Sequence, residues 1–132
     1  MGMETVMTRQ GSPMKILVVD DKALYLNIYE QILTRLGYRV TTVTSGAAAL
    51  ELVKRESSAF DVVITDLAIK EMDGFTLRRK LRELDRALPV IAVASWITHP
   101  DYKKRMEDTF DGLLCKPFTL SEIKSLLNRV PT

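Results

Sequence analysis

Cysteine is almost absent: Cys115 is the only one in 132 residues, so neither an internal disulfide nor a cysteine-rich metal site can form, which suits a reducing compartment. Histidine is equally scarce. With His99 alone, no histidine-based metal site or catalytic histidine pair can be assembled from this chain. No apolar run approaches the roughly 20 residues of a membrane span, and residues 1–14 lack the apolar segment of a signal peptide. We therefore expect a cytoplasmic protein without membrane insertion. Charge of one sign is not in excess either: 19 basic and 17 acidic side chains leave a formal charge of +2, which gives no argument for nucleic acid. The six glycines form neither a P-loop nor a GxGxxG turn, so a glycine-rich phosphate cradle is excluded.

What remains is an ordinary globular composition, 46% hydrophobic and 27% charged, in a length that suits one well-buried domain. Residues 1–13, MGMETVMTRQGSP, have no period and end in a Gly-Ser-Pro breaker, so they are expected to be a flexible tail before a domain spanning 14–132. Five short apolar runs follow: KILVVD (15–20), RVTTV (39–43), DVVIT (61–65), PVIAVA (89–94) and GLLC (112–115). Their valine and isoleucine content predicts strands.

Between the runs the spacing is helical. Leu24, Ile28, Ile32 and Leu36 recur every fourth residue, and Leu77, Leu81, Leu84 and Leu88 form a second stripe, each predicting one core-facing side. An alanine-rich helix is predicted from Ser45, its N-cap, to about Arg55. The last helix opens on the capping box Thr119-Leu120-Ser121-Glu122 and carries Leu120, Ile123, Leu127 and Val130. The segment 99–108 is nearly all polar, so its helix would present a solvated or partner-facing surface. Strands and helices alternating five times predict a doubly wound α/β domain with a parallel sheet.

Ligands of such sheets bind beyond the carboxyl ends of the strands. The first strand ends in Asp20-Asp21, the third runs straight into Asp66, and the fifth runs into Lys116-Pro117. A single strand-end aspartate is ordinary turn chemistry. Three carboxylates and an ammonium on one edge are costly unless a cation or anion belongs there. The chemistry that fits is a magnesium ion on carboxylates, a carbonyl and waters, beside a phosphoryl group that Lys116 would neutralise and Asp66 could accept as nucleophile.

At these residues, ILVVDD (16–21), VVITDLAIKEMDGF (62–75), PVIAVAS (89–95) and LLCKPF (113–118), the sequence resembles the receiver domain of two-component response regulators, from Met14 to Val130. The resemblance implies a flavodoxin-like, CheY-like (βα)5 fold with strand order 2-1-3-4-5. It implies that Asp66 accepts a phosphoryl group from a sensor histidine kinase or a histidine phosphotransfer protein. Asp20, Asp21, Asp66 and the backbone carbonyl of Ala68 would hold Mg²⁺ (or Mn²⁺), Lys116 would contact the phosphoryl group, and Pro117 would follow a cis peptide bond. Output would pass through protein contacts, with a downstream target or output domain that the sequence does not name.

Three departures stand against the family pattern. Ala94 occupies the position of the hydroxyl that usually ends strand four, and Leu113 that of the switch aromatic. Ser95 is adjacent, but neighbouring strand residues point to opposite faces, so it would substitute only in an irregular strand. Lys70 stands where the family commonly has proline. Trp96, two residues beyond Ala94, would lie beside the phosphoryl group, and with small Ala68 opposite it could obstruct attacking water. A long-lived phosphoaspartate is the resulting hypothesis; equally, Trp96 is a loop residue or fills the room left by Leu113.

Elsewhere the expected roles are structural: Cys115 as a small buried hydrophobe, His99 as a helix-start residue, and Lys103, Lys104 and Arg105 as a solvated face. Gly74 would permit a tight turn capped by Asp73. The alternatives to a phosphoryl-accepting switch are a non-phosphorylated scaffold, to which Ala94 and Leu113 point, and a hydrolase on a similar fold. Against the hydrolase, Ala68 stands where a haloacid-dehalogenase-like phosphatase needs its second aspartate. Only Pro131-Thr132 follow Val130, as expected of a single-domain regulator or of a receiver cut from a longer regulator or hybrid kinase.

Overall fold

Each apolar run becomes a strand because both of its faces find a helix to pack against. The structure, a computed structural model, describes residues 11–56, 59–95 and 100–130; residues 1–10 of the expected tail, Trp96 and His99 lie outside them. The order is β1 (Lys15–Val19), α1 (Ala23–Arg35), β2 (Arg39–Val43), α2 (Gly46–Arg55), β3 (Val62–Asp66), α3 (Gly74–Leu84), β4 (Val90–Ala94), α4 (Pro100–Thr109), β5 (Gly112–Cys115) and α5 (Leu120–Asn128). The strands pair in parallel in the order β2-β1-β3-β4-β5. This is the doubly wound fold the alternation predicts.

The period of two decides which side chain goes where. Ile16 and Val18, Val62 and Ile64, and Ile91 and Val93 enter the core under α1 and α5, with Leu114, Ile123 and Leu127. Leu17, Val19, Val63, Val90, Ala92 and Ala94 enter the opposite core, with Leu77 and Leu81 of α3 and Met106 of α4. Extending that parity past the strand ends puts Asp20, Asp66 and Lys116 on the α1 side, each two residues beyond Val18, Ile64 and Leu114. Strand order reverses between β1 and β3, so these residues flank the crevice where such sheets take ligands.

Helix ends follow their caps. The Ser45 hydroxyl accepts the N–H of Ala48, Asp73 accepts that of Thr76, and Thr119 and Glu122 close a reciprocal capping box. No helix among the described residues is long and apolar enough to cross a membrane.

Four expectations need correction. Only half of the α1 stripe Leu24-Ile28-Ile32-Leu36 faces the core: Leu24 and Ile28 are 69% and 42% exposed, whereas Ile32 packs against the core and Leu36 is buried, and Leu26, Tyr29 and Leu33 complete the inward face. A strict four-residue ladder gains about 40° per step on a 3.6-residue helix, so Leu24 and Leu36 end on different sides. Leu84, in the last turn of α3, and Leu120, at the start of α5, are 45% and 43% exposed. Cys115 is exposed at the end of the edge strand β5 rather than buried. Gly74 is required by close approach rather than by turn conformation: a Cβ there would stand 2.8 Å from Leu67 Cδ2 and 3.0 Å from Leu67 Cα. On α4 the basic face Lys103, Lys104 and Arg105 is exposed as expected, and the Arg105 guanidinium also lies 3.9 Å from the centre of the Phe75 ring.

Candidate functional site

The site is built from three strand ends and the first turn of α1. Asp20, just past β1, is fully buried. Its Oδ1 accepts the backbone N–H of Lys22 (2.9 Å), while its buried Oδ2 accepts no hydrogen bond among the described residues and lies 3.6 Å from Lys116 Nζ. Loss of water raises the Asp20 carboxyl above the usual carboxylate range; the Lys22 N–H and the Lys116 charge pull the other way, and Asp66 adds repulsion.

Asp66 is the last residue of β3 and 5% exposed. Its Oδ1 accepts the N–H of Ala68 (3.0 Å) and its Oδ2 accepts from Lys116 Nζ (3.0 Å). Lys116 follows β5, its backbone N–H donates to the carbonyl of Ala94 (2.8 Å), and the peptide bond to Pro117 is cis, as the resemblance implied. One ammonium thus stands between two buried carboxylates. That leaves an excess negative charge facing the crevice, which a cation would offset.

Asp21 is differently placed. Its Oδ2 accepts the backbone N–H of Lys70 (3.0 Å) and its Oδ1 the ammonium of Lys22 (3.3 Å). The Lys70 N–H, above all, holds the Asp21 carboxyl below its ordinary range, and the Asp21 hydrogen bond holds the Lys22 ammonium above its own. Both Asp21 oxygens are thus engaged, and no three acidic, histidine or cysteine side chains among the described residues are grouped to hold a metal ion. The donor set is nonetheless of the right kind. Hard carboxylate oxygens suit magnesium, which keeps several waters and needs few protein ligands, and the unpartnered Oδ2 of Asp20 is an oxygen a cation would satisfy.

The other expected positions scatter. Ala68 is exposed beside Asp66. Ala94 is buried in the α2/α3/α4 core, and Leu113 packs against that same core. Ser95, past the end of β4, is exposed and lines a cavity of about 360 Å³ with Lys116, Tyr25, Tyr29 and Phe118. Its side chain therefore lies across the sheet from Ala94, on the Lys116 side.

Three features of the site escape a reading of strand ends alone. They are the Tyr25 ring, whose centre is 3.7 Å from Lys116 Nζ, the Lys22 ammonium and the Lys70 N–H. Tyr25 has a sequence signal: it falls in the first turn of the helix that follows Asp20-Asp21, and that turn must overhang the strand ends. Tyr29, one turn further on, stacks on Phe118, and burial, reinforced by the charges of Asp20 and Asp66, pushes its hydroxyl above the ordinary phenol range.

Comparison with known proteins agrees with this geometry. Residues 16–128 match the family model described as response regulator receiver domain. Among curated proteins, the chain is 33% identical over 114 residues to the sensor histidine kinase RcsC of Salmonella typhi, covering 86% of this chain and 12% of that protein. It is 37% identical over 120 residues to the two-component response regulator ARR10 of Arabidopsis thaliana, covering 89% and 21% respectively. The chain thus spans a small part of these relatives. Among solved structures, Vibrio cholerae CheY4 superposes with a TM-score of 0.78 at 28% identity, covering 89% of this chain and 98% of that one. The receiver domain of sensor histidine kinase PA1611 from Pseudomonas aeruginosa, solved with a magnesium ion in its active site cleft, gives 0.79 at 28% identity, covering 89% and 96%.

Proposed function

Because the chain belongs to the response regulator receiver domain family, the phosphoacceptors of two-component phosphorelay signalling, we propose that Asp66 accepts a phosphoryl group from a phosphohistidine of a sensor histidine kinase or a histidine phosphotransfer protein. One observation carries the reading: a buried aspartate at the strand-order reversal, hydrogen-bonded to Lys116, beside a second buried carboxylate with an unpartnered oxygen. An Asp66 oxygen attacks phosphorus, the P–N bond breaks with its electron pair moving to the imidazole nitrogen, and an acyl phosphate remains. Lys116 passes from the Asp66 carboxylate to the phosphoryl oxygens and offsets their charge. Asp20, Asp21, Asp66 and the Ala68 carbonyl would hold Mg²⁺ (or Mn²⁺), which supplies charge stabilisation to the transferring group. To bind it, Asp21 must give up at least one of its bonds to Lys22 and Lys70.

The test is intact-mass analysis after incubation with Mg²⁺ and acetyl phosphate, beside Asp66→Ala and a chelator control. The reading expects a single phosphoryl adduct that needs both Asp66 and Mg²⁺. A second reading, a scaffold that is not phosphorylated, is favoured by Ala94 and Leu113, both of which are packed into apolar core where the family has a hydroxyl and an aromatic switch. A folded protein that takes no phosphoryl group from acetyl phosphate or from a phosphorylated kinase establishes that alternative. The adduct, once formed, is expected to be long-lived, as proposed from Ala68 and Trp96; rapid decay after donor removal refutes that part alone.

A further inference from the structure

Lysine carries its charge on a flexible four-carbon stem with three freely rotating donors, so something other than its own backbone must fix where the ammonium stands. Lys116 Nζ lies 3.0 Å from Asp66, 3.6 Å from Asp20 and 3.7 Å from the centre of the Tyr25 ring. The carboxylates hold it from the sheet side and the ring from the α1 side. That ring is anchored early: the N–H groups of Tyr25 and Leu26 both donate to the Lys22 carbonyl, at 3.1 and 3.2 Å, tying the first turn of α1 to the Asp20-Asp21 loop.

We propose that Tyr25 is a positioning residue for phosphoryl acceptance, its ring face holding the Lys116 ammonium over Asp66. The inference rests on the reading of Asp66 as phosphoacceptor and deepens it. The cavity lined by Tyr25, Ser95, Lys116, Pro117 and Phe118 opens directly beside the lysine. Without the ring, the ammonium can swing into that space and take water in place of Asp66. The ring also suits a charge that has to move. Phosphorylation removes the charge from the Asp66 oxygen that Lys116 contacts, so the ammonium must follow the new phosphoryl oxygens. A hydrogen-bond acceptor would hold it back along one direction; attraction to a π face tolerates sliding across the ring. With Ala94 supplying no hydroxyl, Lys116 carries a larger share of the contact to the phosphoryl group, and its placement matters correspondingly more.

The variants are Tyr25→Leu, which removes the ring, and Tyr25→Phe, which keeps it. Phosphorylation by acetyl phosphate in Mg²⁺ is followed by intact mass over a range of donor concentrations, with thermal unfolding to confirm the fold. Tyr25→Leu is expected to lower the second-order rate constant roughly threefold to tenfold, and Tyr25→Phe to stay within about twofold of wild type. In a Lys116→Ala background, Tyr25→Leu should cost nothing further, because the ring acts through the lysine. NMR gives a readout that packing alone would not move: the Lys116 ε-methylene resonances lie upfield in wild type and Tyr25→Phe, and return to the usual lysine position in Tyr25→Leu. A Tyr25→Leu protein with the wild-type rate, a Tyr25→Phe protein as slow as Tyr25→Leu, or an unshifted wild-type ε-methylene each overturns the inference. A wild type that takes no phosphoryl group at all fails the Asp66 reading and the inference with it, whereas normal labelling of both proteins fails the inference alone.

Discussion

Asp20→Asn measures what the site costs the fold. In the folded protein Asp20 is fully buried, one oxygen satisfied by the Lys22 N–H and the other without a donor. At 3.6 Å the attraction of Lys116 is worth about 4–5 kcal/mol at an effective dielectric of ~20. Against it stand a burial penalty of several kcal/mol for the carboxylate and repulsion from Asp66. These terms nearly cancel, and the raised Asp20 carboxyl shows that burial wins. The sign follows by linkage. A carboxyl whose folded pKa lies above its unfolded value of 3.8 imposes no penalty below that value, and its penalty grows as pH rises through the folded pKa. The penalty is therefore larger at neutral pH than in acid. Asparagine keeps an acceptor for the Lys22 N–H and removes the charge, although its amide N–H₂ then faces Lys116 and gives back part of the gain. The expected net gain is about 1–2 kcal/mol, a rise in Tm of roughly 3–10 °C. The assay is thermal unfolding of both proteins with chelator at neutral pH and in acid, then with Mg²⁺. The gain should shrink in acid and shrink or reverse in Mg²⁺, because a metal that binds the folded wild type stabilises it by mass action. A variant less stable than wild type in chelator at neutral pH would refute the reasoning, since Lys116 would then outweigh burial.

Further predictions test the surroundings. Lys22→Ala removes a half-exposed ion pair from Asp21 and is expected to raise Mg²⁺ affinity up to about fivefold. Lys70→Pro, which deletes the N–H that Asp21 accepts, should act in the same direction; calorimetric titrations that show no change in either variant would mean that these bonds do not compete with the metal. Gly74→Ala drives a methyl into the backbone of Leu67 and to 3.3 Å from the Asp66 carbonyl; a loss of about 1–3 kcal/mol in urea unfolding, together with slower phosphorylation, is expected. Leu24→Ala should change stability by less than about 0.5 kcal/mol, whereas Leu33→Ala, at a fully buried position on the inward face of α1, should cost about 2–5 kcal/mol. Equal losses would show that the exposed and buried faces of α1 are misassigned.

The division between what could be read from the sequence and what could not has a physical origin. A strand that is apolar on both faces leaves little freedom: Ile16 to Val19 must alternate between two cores, and the residues after them inherit that alternation. Asp20, Asp66 and Lys116 are therefore placed almost by counting, and the structure brings them within 3.0 to 3.6 Å of one another through Lys116. Helix faces are less determinate from spacing. Leucines and isoleucines every fourth residue on α1 suggest one stripe, but the helix turns past them, and the inward face is completed by Leu26, Tyr29 and Leu33, which that ladder leaves out. Backbone donors are harder still, because any residue but proline has one. That the Lys70 N–H reaches Asp21 across 49 positions depends on the path of the loop after β3, where Glu71 takes a positive φ of 70°. Such contacts set how tightly Asp21 is held and how freely Lys116 can move. The chemistry of the site is thus legible in residue types at strand ends, while its tuning lies in a helix's first turn and one loop's backbone, where spacing carries little information.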